Sequence, residues 1–138
     1  MFYAILGAIL TTTAPLTATS EAPVAVAHKD RKYVTTQELK SWYDQKKSMV
    51  VLDARSKTYF DGRLLPNAIW LPADSSEKKI SATIPNKDSV VVVYCSGVRC
   101  PASGRLYGRL QSMGYHDIYE FHEGLDGWIR KGYPVTED

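Results

Sequence analysis

The sequence predicts an α/β domain with a mostly parallel central sheet of about five strands flanked by helices. Short apolar runs recur at residues 49–52, 68–71, 90–94 and 118–121. The third of them, Val90-Val91-Val92-Val93-Tyr94, is apolar throughout and strongly β-branched, the pattern of a strand covered on both faces. Polar stretches of helical length separate the runs, and strands that alternate with helices connect in parallel through crossovers. With 138 residues, 44% of them hydrophobic, the chain suffices for one core and no more.

The elements follow in order. Thr35-Thr36-Gln37-Glu38 has the form in which a threonine oxygen and a glutamate carboxylate satisfy the first donors of a helix, and Leu39, Trp42 and Tyr43 continue at helical spacing. A helix over 36–47 is expected, then strands at 49–52 and 68–71 separated by a polar segment, 56–61. A second polar segment, 75–83, precedes the strand at 90–94. Pro101 suits a helix start and Gly114 a helix stop, so a helix over 101–113 follows. The strand at 118–121 and a helix over 124–131, ending before Gly132, complete the set. Trp42, Tyr43, Trp70 and Trp128 stand at helix and strand positions and are expected in the core rather than on a binding platform.

Residues 1–27 are of different composition. They hold no Lys, Arg or Asp and a single Glu21, whereas every one of the 17 basic residues falls after them. An apolar stretch, residues 1–10, leads through a Thr/Ala/Pro-rich segment to Ala25-Val26-Ala27, a small-x-small pattern just before His28-Lys29-Asp30-Arg31-Lys32. The expectation is a signal peptide cleaved after Ala27, a soluble domain over 28–138, and export to a periplasmic or extracellular space. A leader that stays attached as a membrane anchor is the alternative; the domain itself is expected to meet a membrane only in that way.

The net charge of +2 is far from the basic excess of a dedicated nucleic-acid binder, and no such partner is expected. Two cysteines exclude a disulfide-framework miniprotein and a four-cysteine zinc module. His116 and His122 stand about a strand apart with nothing to bring them to a thiol, so neither a metal nor another cofactor is expected.

Chemistry is expected at Cys95. It directly follows the most apolar strand, at the carboxyl end where open parallel sheets gather their ligands. The loop Ser96-Gly97-Val98-Arg99-Cys100 then runs to Pro101 and a helix N-terminus. Such a loop offers backbone N–H groups and a positive dipole end to an anion at its centre. The dipole and Arg99 are both expected to lower the Cys95 thiol pKa below the free value of about 8.5. The competing reading is a small buried thiol that only packs.

These residues resemble the single-domain rhodanese, or thiosulfate sulfurtransferase-like, family over residues 33–135. Leu52-Asp53-Ala54-Arg55 is similar to the family's Asp-x-Arg element. Tyr59-Phe60-Asp61-Gly62 with Pro66-Asn67-Ala68 is similar to its acidic-aromatic and Gly-His-Ile-Pro-Gly-Ala segment, and Val93-Tyr94-Cys95 to its strand and active-site cysteine. Gly114-Tyr115, Ile118-Tyr119, Glu123-Gly124 and Trp128 resemble its ending. The chain departs from the commonest C-x-x-G-x-R loop in that Gly97 and Arg99 each come one position early. Arg63 stands where the family often has His, Leu65 resembles an insertion, and Glu123 replaces the first of two glycines.

The resemblance implies a double displacement. Cys95 takes the outer sulfur of a donor such as thiosulfate, becomes a persulfide, and passes the sulfur to a thiol or cyanide. Loop N–H groups and Arg99 would stabilise the persulfide and the departing sulfite, unless Arg99 is merely a solvated charge. Asp53 and Arg55 are expected to support the active loop through a salt bridge. Cys100 has three readings: a reversible disulfide with Cys95, a sulfur acceptor, or packing beneath the loop. A phosphatase-type C-x5-R loop is disfavoured, because Pro101 stands where the Arg is needed and Tyr94 where a His is usual. An exported thiol-disulfide protein and a non-catalytic rhodanese-like binding module are the remaining alternatives.

Overall fold

The computed structural model describes residues 31–137; the leader expected in residues 1–27 and the domain start at residue 28 lie outside the described residues. The elements run Lys32–Tyr33 (β1), Thr36–Asp44 (α1), Val50–Asp53 (β2), Arg63–Leu64 (β3), Ile69–Trp70 (β4), Glu77–Thr83 (α2), Val91–Tyr94 (β5), Ala102–Ser112 (α3), Ile118–Phe121 (β6), Gly124–Arg130 (α4) and Thr136–Glu137 (β7). Five strands form one sheet in the order β1-β6-β5-β2-β4, every pairing parallel. β3 and β7 form a separate antiparallel pair. The expected five-stranded α/β domain is the one observed.

Alternation along β5 divides the core. Val91, Val93 and Cys95 face one side with Leu52, Ile80, Leu106 and Leu110, beneath α2 and α3. Val92 and Tyr94 face the other with Val51, Phe121, Leu39, Leu125 and Trp128, beneath α1 and α4. Register sets Asp53 level with Tyr94 and Tyr94 level with Phe121, so the chain leaves the three central strands at one edge. That edge carries the loops from which a site can be built.

Several expectations are corrected. α1 ends at Asp44 rather than at 47: Gln45 caps it, and Lys46 takes a left-handed φ of 53° that no helix continues through. The run at 68–71 shrinks to the two-residue edge strand β4, in which Ile69 is 43% exposed, so it is not covered on both faces. The polar segment 56–61, for which helix and loop were both open, takes the loop form, with turns at 57–59. β1, β3 and β7 were not expected at all, since two-residue strands carry no periodicity; neighbours define them, as where the Lys32 N–H donates to the Tyr107 hydroxyl and the Val34 N–H to the Glu120 carbonyl. Trp128 is buried as expected, with Trp42 and Tyr43 packed partly buried around its cluster. Trp70 instead stacks on Phe60 at a 4.5 Å centroid distance, at the sheet edge. Among the described residues, no helix is long and apolar enough to cross a membrane.

Candidate active site

Cys95 is the first residue after β5 and is 1% exposed. The chain then turns on a hydrogen bond from the Cys100 N–H to the Gly97 carbonyl at 3.0 Å. Pro101 follows as the N-cap of α3 with no side-chain cap, so the first turn of the helix opens onto the loop with Ala102 and Ser103 buried beneath it. The turn brings the two cysteines together. Cys95 and Cys100 are joined as a disulfide, their Cα atoms 6.1 Å apart, inside the span such a bond tolerates.

α4 clamps the loop from the other side. Its Leu125 N–H donates to the Cys95 carbonyl at 3.0 Å and its Asp126 N–H to the Ser96 carbonyl at 2.8 Å, so donors that a helix start leaves orphaned hold the loop in place. The approach requires Gly124, which has a φ of +63°. A Cβ there would lie 2.9 Å from the Gly97 nitrogen and closer still to the Cys95 carbonyl. Gly97 is itself confined, since a Cβ on it would meet the Asp126 carboxylate at 3.0 Å.

With the Cys95 and Ser96 carbonyls turned to α4 and the Gly97 carbonyl taken by the Cys100 N–H, the donors between them are left over. Among the described residues, the N–H groups of Ser96, Gly97, Val98 and Arg99 donate to no protein acceptor. A cleft of 560 Å³ opens beside them, bordered by Arg99, Arg105, Asp126, Ser56 and Tyr59. Neither Arg99 nor Arg105 has an ion-pair partner among the described residues, and both are exposed. Free N–H groups with two guanidiniums make the rim receptive to an oxyanion. Val98, also expected in the site, is 60% exposed on the same loop.

Asp53 and Arg55 form a salt bridge, and the hydrogen bonds of its guanidinium go to the adjacent loop rather than to residues 95–100. The Arg55 guanidinium grips Asp53 through Nη2 at 2.7 Å and Nε at 3.0 Å, reaches the Asp61 carboxylate at 3.2 Å and donates to the Arg63 carbonyl at 2.6 Å. All of these contacts lie within residues 53–63, so the pair braces the adjacent loop that carries Ser56 and Tyr59, the far wall of the cleft. Arg55 has this target because residues 54–62 fold back over the end of β2, placing Asp61 and the Arg63 carbonyl within its reach. Burial opposes the Arg55 charge, yet the hydrogen bonds and negative charge of Asp53, then of Asp61, raise its pKa above the ordinary value. Hydrogen bonds from Arg63 lead in holding the Asp61 carboxyl at about 2. Burial, and the Asp53 charge after it, push the Tyr94 hydroxyl well above its usual range, so it stays neutral beneath the loop and accepts the Leu65 N–H at 3.1 Å.

Gly124, Arg105, Asp126, Ser56 and Tyr59 were not expected in the site. Nor was Glu120, 2% exposed, which accepts from Ser103 Oγ at 2.8 Å and Arg31 Nη1 at 2.9 Å and so ties β6 to the start of α3. A carboxylate inside the otherwise apolar run 118–121 was the signal that such a partner exists. His116 pairs with Asp88 away from the loop, while His122 lies on the opposite flank of Cys100 in a second cleft, of 440 Å³.

A family model described as a Rhodanese-like domain matches residues 35–131. A comparison with curated proteins finds no match. Among solved structures, a Bacillus halodurans protein is similar at 18% identity and a TM-score of 0.69, with 77% of each chain covered. The rhodanese-like domain of an Anabaena protein is 19% identical at a TM-score of 0.64, covering 79% of this chain and 81% of that one. A thiosulfate sulfurtransferase from Pseudomonas aeruginosa is 20% identical at a TM-score of 0.66 over 78% of this chain, which spans a fifth, 20%, of that enzyme's length. At these identities the likeness is one of fold.

Proposed function

As the chain belongs to the rhodanese-like family, we propose that it is a sulfurtransferase that carries sulfane sulfur on Cys95. The observation that carries this reading is the setting of that thiol: directly after the central strand, at the start of a loop whose N–H groups at 96–99 have no protein acceptor among the described residues and which borders a cleft rimmed by Arg99 and Arg105. In the reduced protein the Cys95 thiolate attacks the outer sulfur of a donor such as thiosulfate. The donor's S–S bond breaks, sulfite leaves with the electron pair, and Cys95 holds a persulfide. A thiol or cyanide then attacks the outer sulfur and the Cys95 thiolate leaves. Loop N–H groups and the α3 N-terminus favour the anionic sulfur at both stages, and Arg99, with Arg105 beside it, meets the sulfite.

The Cys95–Cys100 disulfide favours a second reading, thiol-disulfide exchange, and the expected export of the domain would place it where such a bond persists. Thiocyanate formation from thiosulfate and cyanide by the pre-reduced protein separates the two. The proposal expects turnover that Cys95→Ser abolishes; absence of turnover in the reduced wild type, with thiols that alkylate normally, would leave exchange as the better account. A Cys95 inert to alkylation even after reduction would instead favour the non-catalytic binding module.

A further inference from the structure

Resting on the sulfur-loading reading above, we propose that Cys100 is a resolving thiol: it attacks the Cys95 persulfide, releases sulfide, and leaves the Cys95–Cys100 disulfide. The step balances within the chain. The Cys100 thiolate forms a bond to the Cys95 Sγ, the bond from that atom to the outer sulfur breaks, and the outer sulfur departs as HS⁻ with the bonding pair. The sulfane sulfur gains two electrons and the two cysteine sulfurs lose them. The product is the bond present in the structure.

Three features support the step. The turn closed by the Cys100 N–H and the Gly97 carbonyl holds the two residues at 6.1 Å between Cα atoms, so Cys100 reaches the inner sulfur from the observed backbone conformation. Attack from a tethered neighbour has an effective concentration that a free thiol does not match. Access is also unequal: Cys95 is buried at 1% exposure, whereas Cys100 is half-buried and lines the clefts on both flanks of the loop. Finally, Cys100 precedes α3, whose first turn holds no acidic residue, so the helix end favours its thiolate.

The same asymmetry sets how the cycle closes. A dithiol reductant attacks the accessible Cys100 sulfur, Cys95 leaves as thiolate, and the reductant's second thiol displaces Cys100. The two electrons come from the dithiol, which ends as a disulfide. A sulfane sulfur thereby becomes sulfide without reaching an external acceptor.

The test uses full-length protein, reduced, freed of reductant under anaerobic conditions and given one equivalent of thiosulfate without added thiol. Sulfide is quantified and intact mass recorded for wild type, Cys100→Ser and Cys100→Ala. The proposal expects about one sulfide per chain from wild type with loss of two hydrogens, and roughly tenfold less sulfide from either variant, which instead retains the extra sulfur. Persulfide accumulating in wild type without sulfide overturns the resolving role and leaves sulfur transfer standing. If neither variant gains a sulfur, the sulfur-loading reading fails and the resolving role fails with it. The sulfide count on wild type decides even if a variant misfolds.

Discussion

At the scale of the residue, the site depends on a few atoms that nothing else can replace. Gly124 combines a left-handed φ with a backbone approach that leaves no room for a Cβ. Gly124→Ala is expected to cost about 2 kcal/mol or more, from backbone strain together with displacement of the loop. Urea denaturation measures that loss, and slowed sulfur transfer should accompany it. Arg99 makes the opposite prediction, because its guanidinium is exposed and has no ion-pair partner among the described residues: Arg99→Ala should leave the denaturation midpoint unchanged while lowering kcat/KM for thiosulfate by about 10-fold or more, the worth of a charge-assisted hydrogen bond to the donor's oxyanion. An unchanged kcat/KM would return Arg99 to the solvated surface. The place of Cys95, at the end of a central strand and one short loop before a helix start, was legible in the sequence because a fully apolar β-branched run ends there and Pro101 follows. Gly124 was visible only as part of a resemblance, since the contact that demands it joins residues far apart in sequence.

At the scale of the element, the loop after β2 is a brace built on a buried ion pair. Asp53 and Arg55 are both fully buried, and removing one partner strands the other's charge away from water. Asp53→Ala is therefore expected to cost about 3–5 kcal/mol in chemical denaturation, whereas replacing both by apolar residues should cost less. Asp61 adds a pH dependence. Its folded pKa of about 2 lies below the ordinary 3.8, so its contribution is complete above the unfolded value and is lost as pH falls through the folded one. Stability should decline between about pH 4 and pH 2, and Asp61→Asn should flatten that decline when denaturation midpoints are compared across the range. The sequence made the Asp53–Arg55 pair visible but not its target, because the target depends on how residues 54–62 fold back over the sheet edge. Strands of two residues were beyond it for a similar reason: β1 is defined by Tyr107, Glu120 and Asp117, none of them nearby in the chain.

At the scale of the whole molecule, the register of three parallel strands decides where everything meets. Asp53, Tyr94 and Phe121 end level, so the braced loop, the cysteine loop and α4 converge on one edge, while two separate cores hold the sheet rigid beneath them. This architecture was readable from alternating strands and helices; the reading failed at the sheet edge, where β4 is short and one-sided, at the end of α1, and at the two-residue strands β1, β3 and β7. The disulfide closes a very short loop, which in the chain-entropy account is worth about 2 kcal/mol; the oxidised protein should melt several degrees above the reduced one, and equal melting temperatures would show that the loop is ordered by packing alone. In the proposed cycle sulfur is carried on Cys95. Mass analysis of the reduced Cys100→Ser protein after thiosulfate treatment, followed by proteolysis, tests it most directly. A gain of one sulfur atom, located on the peptide that contains Cys95 and removed by cyanide, is expected; an unchanged mass, in a protein whose Cys95 still alkylates, would rule out sulfur loading on that residue.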